Sequence, residues 1–233
     1  MSAAGDGLPA PPAEGPARTP KGRATRARLL AAAARQLATE GRVEVAAVAR
    51  SCEVAPSVLY RYFPGRDGLA AAVVEAFYDE YQAAVFDRSL EDDPALPRDA
   101  GWMAREELRL EREVAFLYGH PLGRAVAAGL LHDAAATRVD AARLREHVAQ
   151  AARNIRHGQR AGDLDAAVDA GLAAAAIIGA LRTVLAEALS RDPPPPPASV
   201  VDAVVRIGRA LLLPAVPARG ERARARRDPA AAT

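Results

Sequence analysis

Along most of this chain apolar residues recur at three- and four-residue steps, and alanine is the commonest of them. That spacing places a stripe of side chains on one face of a helix, and alanine lets such faces approach closely. Half of the residues are hydrophobic but only 4% are aromatic, a poor stock from which to build a β-sandwich. The expected class is therefore all-α.

A length of 233 residues holds one large helical domain, or a small one joined to a larger one. Cys52 is the only cysteine, so neither an internal disulfide nor a Cys-rich metal site is expected, as befits a reducing cytoplasm. The first residues lack a basic segment followed by an apolar run, so no secretion signal is read there. The most apolar stretch, residues 170–181, lies between Asp169 and Arg182 and falls short of the roughly 20 residues a bilayer demands. The chain is expected to be soluble and cytoplasmic.

Residues 1–20 are rich in Pro, Gly and Ala without an apolar face and read as a disordered arm. Thr25 is a candidate cap for a first helix carrying Leu29, Leu30, Ala33 and Leu37, which Gly41 stops. Short helices are expected at about 43–51 and 56–62, with Pro56 in a first-turn position and Pro64 as the break. A long helix follows from Asp67 through Leu69, Val73, Phe77, Tyr81 and Val85. Later helices are marked by Met103 to Leu117, Leu122 to Leu130, Leu144 to Ile155, and 164–190, the longest expected. Residues 193–197 are all proline, a stiff spacer, after which Ser199 and Asp202 resemble a capping box opening the last helix. About nine helices result, with a mobile basic tail at 215–233.

The net charge of +2 hides an uneven distribution. Between Arg18 and Arg66 ten basic residues face Glu40, Glu44 and Glu53, for +7, while residues 67–218 carry −6. A basic module on an acidic body fits polyanion binding at one end.

The sequence VAAVARSCEVAPSVLYRYFPGRDGL, residues 45–69, refines that reading. Val48, Val54 and Leu59 are placed to form a small core clamping two short helices at a fixed angle, leaving one face of the second free for a major groove. Ser57, Tyr60 and Tyr62 offer hydroxyls; Arg23, Arg26, Arg61 and Arg66 offer charge for phosphates. The helix opening near Arg66 adds backbone N–H donors suited to a phosphate. Phe63 is expected in the core, and Tyr60 on either side of the boundary between core and groove.

With TRARLLAAAARQLATEG before it, this segment resembles the TetR family of repressors. The resemblance rests on Leu59, Tyr60, Tyr62 and Phe63, on Val48 and Ala49 in the supporting helix, and on Arg66. It covers residues 21–70, and beyond them only the helix count and IRHGQRAGDLD at 155–165 match. It implies a three-helix DNA-binding domain at 21–66 and an effector-binding and dimerisation domain at 67–214. DNA-binding residues would be Arg23, Thr25, Arg26, Pro56, Ser57, Tyr60, Arg61, Tyr62 and Arg66. Three departures stand out: Glu53 where glycine is usual in the turn, Ala55 where Ser or Thr caps the next helix, and Val58 where Thr is frequent. The link between Gly41 and Val45 is also about two residues short of the usual family length.

The resemblance further implies a homodimer on a palindromic operator, joined through the last two long helices, 164–190 and 199–213. Effector-lining candidates among the middle helices are Phe77, Tyr81, Trp102, Met103, Phe116, Tyr118 and His120, a largely apolar set suited to a hydrophobic or aromatic small molecule. Binding would tilt the helix at 67–86 and release the DNA.

Two other classes compete with this reading. An enzyme finds little support, since His120, His132, His147 and His157 form no HxxxH or HExxH spacing and neither GxSxG nor a phosphate loop occurs. No cofactor or metal is expected. The alternative to a regulator is a dimeric ligand-binding or protein-interaction module whose DNA reading has decayed, which Glu53, Ala55 and Val58 would permit.

Overall fold

A computed structural model of the chain describes residues 19–90 and 93–214. The basic tail, and the N-terminal arm apart from Thr19 and Pro20, lie outside the described residues. The described residues form helices only: α1 (Pro20–Glu40), α2 (Val45–Ser51), α3 (Pro56–Tyr60), α4 (Gly65–Val85), α5 (Trp102–Gly119), α6 (Gly123–Ala127), α7 (Ala134–Ala161), α8 (Ala170–Ser190) and α9 (Pro197–Leu212).

Several helix starts differ from the expectation. Thr19, not Thr25, caps α1: its hydroxyl accepts the Gly22 amide at 3.0 Å, and Pro20 fills the first-turn position where a missing N–H costs nothing. Thr25 lies inside the helix and donates back to the Lys21 carbonyl. The longest helix is α7, with 28 residues, rather than the segment at 164–190. Asp169 starts α8 late by accepting the Gly171 and Leu172 amides at 2.8 and 2.9 Å. Ser199 is not a cap, because Pro197 already opens α9 and no side chain caps it.

The chain packs as two compact units. One gathers the described residues up to Gln82 with Gly119–Arg143; the other gathers Ala83–Tyr118 with the described residues from Leu144 onward. In the first, Leu29, Leu37, Val43, Val48, Leu59, Leu69, Val74 and Phe77 are fully enclosed. The Tyr78 hydroxyl donates to Asp140 at 2.5 Å, and Arg143 pairs with Glu75, fastening α4 to the start of α7.

In the second unit, Ala152, Ile155, Leu164, Ala170, Ala173, Ala174 and Leu212 form one buried cluster, with Trp102 and Met103 packed against it. The IRHGQRAGDLD segment ends α7 here. Gly162 takes φ +83°, its amide reaches the Gln159 carbonyl, and the Asp163 amide reaches that of Gly158, the two bonds of a Schellman close. A Cβ on Gly158 would sit 2.8 Å from Leu164 and 3.0 Å from Trp102, so a side chain here would force Leu164 to shift and press on Trp102 of α5. Gln159 donates to the Asp165 and Val168 carbonyls and holds the return loop.

The apolar stretch counted at residues 170–181 extends in the structure through the 21 residues of α8, long and apolar enough by length and composition to cross a membrane. Only Arg182 and Glu187 interrupt it, and only 28% of its most apolar window is buried. Its inner face packs on α9, where Gly208 comes near Ile177.

Candidate nucleic-acid interface

The geometry of the N-terminal unit is set by the turn between α2 and α3. Cys52 ends α2; the Glu53 amide then reaches the Arg50 carbonyl at 3.0 Å and the Val54 amide reaches that of Ala49 at 3.0 Å. This is again a Schellman close, which demands a left-handed residue after the cap. Glu53 supplies it at φ +55° and is the one non-glycine residue with positive φ among the described residues. A glutamate held in this left-handed conformation, where glycine is the usual residue, carries strain of order 1 kcal/mol. From α1, Arg28 donates to the Cys52 carbonyl at 2.5 Å, bracing the turn from outside.

Ala55 precedes α3 with extended backbone and no side-chain cap, as its methyl group requires. Pro56 fixes the first turn of a helix only five residues long. Leu59 and Phe63 are buried and root it in the core with Val48, while Val54 is half-buried. Pro56, Ser57, Tyr60 and Arg61 are exposed, Tyr60 to 59%, and Tyr62 is half-buried. The short helix presents a hydroxyl and a phenol outward, and Arg61 at its C-cap adds a guanidinium, while the opposite side is anchored.

The flanking candidates lie on two other elements. Arg23, Thr25 and Arg26 are on α1, and the Arg26 guanidinium lies over the Phe63 ring. Arg66 stands in the first turn of α4, which starts at Gly65. Its Nη2 is 3.4 Å from both Asp67 and Asp133. Asp133 also accepts the Val43 amide at 2.7 Å and is the one buried charged residue described. In the sequence His132 and Asp133 form only a weak acid–base pair, with nothing that ties them to Val43 or Arg66.

Segment 29–73 matches the family model of bacterial regulatory proteins of the tetR family. The chain carries a TetR-family DNA-binding domain. With it comes the role of a DNA-binding transcriptional regulator. No curated protein sequence matches the chain. Among solved structures, a TetR-family regulator from Shewanella sp. PV-4 is 17% identical, with a TM-score of 0.64 over 82% of this chain and 99% of that one. FadR from Bacillus subtilis, solved with stearoyl-CoA, is 15% identical, with a TM-score of 0.65 over 78% and 96%. A transcriptional regulator from Pseudomonas aeruginosa PAO1 is 18% identical, with a TM-score of 0.65 over 84% and 93%. At such identities the likeness concerns the fold, and it extends well past the matched TetR-family segment.

The effector candidates divide between the units. Phe77, Tyr81 and His120 fall in the first, where Phe77 meets the His120 ring edge-on at 4.8 Å and Tyr78 at 5.0 Å. Tyr78 in turn meets Tyr81 at 6.2 Å. His120 accepts the Leu122 amide at Nδ1 and faces Glu80 at 3.4 Å. Burial holds its pKa below the ordinary value, with Glu80 opposing the shift. Trp102, Met103, Phe116 and Tyr118 fall in the second unit. The Trp102 indole donates to Asn154, and the Tyr118 hydroxyl donates to the Pro195 carbonyl at 3.1 Å while burial raises its pKa.

Proposed function

We propose that the chain is a homodimeric repressor that reads a palindromic operator with α3 and is released by a small hydrophobic or aromatic effector. The observation that carries the reading is the division of α3 into a rooted side, Leu59 with the nearby Phe63, and an open side, Pro56, Ser57, Tyr60 and Arg61. Such a helix can enter a major groove without surrendering packing. Arg23, Thr25, Arg26, Tyr62 and Arg66 then serve the backbone, where charge and hydroxyls fix register rather than sequence.

Dimerisation is supported by the apolar surface that α8 and α9 leave open, with Leu172 at 73% and Ile207 at 39% exposure. A second copy is proposed to cover that face in a two-fold arrangement, and a palindrome with half-sites about one DNA turn apart, roughly 34–36 Å, would take one α3 from each copy. Phe77, Tyr81 and His120 in the first unit, and Trp102, Met103, Phe116 and Tyr118 in the second, are the proposed sources of effector contacts, and tilting of α4 is the proposed response. A coupling of about 1–3 kcal/mol suffices for such a switch. The site is proposed to lie in the cytoplasm, with no catalytic role.

The experiment selects duplexes from random and genomic DNA with the full chain at two salt concentrations, alongside light scattering. A recovered palindrome, bound less tightly as salt rises, with a dimer in solution, supports the reading. The selected duplex is then challenged with stearoyl-CoA and a panel of aromatic compounds to test release. A dimer that enriches no sequence would favour the decayed module instead. Glu53 and the uncapped Ala55 are the observations on that side.

A further inference from the structure

We propose that Asp133 is a positioning residue for DNA binding, holding Arg66 at the start of α4 in the orientation that meets a phosphate. The inference rests on the DNA-binding reading and adds to it a residue far from the helix-turn-helix in sequence.

Asp133 immediately precedes α7 and stands where an aspartate ordinarily accepts amides of its own helix. Here its carboxylate is spent elsewhere. One oxygen accepts the Val43 amide at 2.7 Å, and the other lies 3.4 Å from Arg66 Nη2, with the Asp133 side chain only 2% exposed. A carboxylate this deeply enclosed needs a cationic partner, and Arg66 is the cation the structure gives it. The arrangement is locked by its neighbours. The His132 amide donates to the Gly41 carbonyl at 2.7 Å, and a Cβ on Gly41 would stand 2.4 Å from the Leu130 oxygen and 2.5 Å from His132 Nδ1. Residues 130–133 are therefore seated against the turn between α1 and α2, and Asp133 joins that turn to α4.

Arg66 shares its guanidinium between Asp133 and Asp67 yet remains 56% exposed. A guanidinium carries five donors in a fixed fork, so two carboxylates on one side leave donors on the other. A side chain already held pays less ordering entropy when a phosphate arrives. Without Asp133, the partner remaining would be Asp67, an exposed neighbour along the chain and a weak constraint.

The test uses the full chain and a mixed-sequence DNA duplex across a salt series, because phosphate contacts are independent of sequence. Asp133→Asn keeps an acceptor for the Val43 amide and removes the charge that holds Arg66. Its affinity is expected to fall about tenfold, and the dependence of log K on log salt to flatten by about 0.9, one phosphate contact. Arg66→Ala is expected to do the same, and the double variant to lose nothing more. Arg66→Lys, at an exposed position that does not threaten the fold, keeps the charge without the fork and is expected to recover only a minor part of the loss. Additive effects of the two substitutions, tighter binding by Asp133→Asn, or a lysine equal to arginine would each overturn the proposal while leaving DNA binding intact. A wild-type chain that retains no duplex at low salt would overturn the DNA-binding reading and this proposal together.

Discussion

The guanidinium of Arg26 lies 5.2 Å from the centre of the Phe63 ring, so a residue of α1 covers the aromatic that follows α3. Arg26 is half-buried and Phe63 almost wholly so. The contact couples a proposed phosphate ligand to the core beneath α3.

Arg26→Ala is accordingly expected to lower both stability and DNA affinity, the former by about 0.5–2 kcal/mol, the range from an exposed to a desolvated cation over a ring. Urea melts measure the first effect and titration with a selected duplex the second. An affinity loss with unchanged stability would mean that the ring contact contributes nothing.

Glu53→Gly is expected to stabilise the chain. It relieves a left-handed glutamate costing about 1–2 kcal/mol, against a loss of about 0.5–1 kcal/mol from added freedom in the unfolded chain. The net gain should raise Tm by roughly 1–4 °C. It also removes a negative charge beside the recognition helix, so DNA binding at low salt should tighten. A lower Tm in scanning calorimetry would contradict the strain assigned to Glu53.

Gly41→Ala is expected to be among the costlier single changes in the N-terminal unit. Gly41 has φ +69° and no room for a Cβ between Leu130 and His132. Strain and displacement together should cost about 2–4 kcal/mol, read by the denaturant midpoint. Gly65→Ala is the informative comparison: it also has positive φ, +78°, but nothing within 4 Å of an added Cβ, and should cost about 1–2 kcal/mol.

Stability should decline on mild acidification partly through His120. Burial lowers its folded pKa below the unfolded value of about 6.5. The unfolded chain therefore binds the proton first as pH falls. Its contribution is present above that value, is lost progressively from about pH 6.5 down to the folded pKa, and changes no further below it. His120→Gln should flatten this segment of the stability profile measured by urea melts at successive pH values. An unchanged slope would place the titration elsewhere.

Leu172→Glu places a charge on the most exposed large apolar side chain of α8. Light scattering should show the proposed dimer shifting to monomer, because a buried unpaired carboxylate costs several kcal/mol at an interface. DNA selection should fail in parallel. A dimer of unchanged stability would move the interface off this face.

The helical class and the polarity of α3 were legible in the sequence, because the spacing of Leu29, Ala33, Leu37, Val48, Leu59 and Phe63 encodes which side is buried. Glu53 stood out only through the family resemblance, as a departure from the usual glycine, and the Schellman close in the structure supplies the reason. Helix starts were less so. Both Thr19 and Thr25 can cap, and only packing of the first turn decides between them. Asp133 was illegible for a different reason: its partners Val43 and Arg66 lie 90 and 67 positions away, and nothing periodic links them. The division of the effector candidates followed the same rule. Phe77 and Trp102 look alike along the chain, yet they belong to different compact units.

At five residues α3 is too short to persist on its own. All its order is lent by Leu59, Phe63, Pro56 and the turn before it, so the residues that keep its shape and the residues that face outward are almost separate sets. Ser57, Tyr60 and Arg61 can then be exchanged at little cost to folding, so the target sequence proposed to be read through them can change without first passing through an unstable protein.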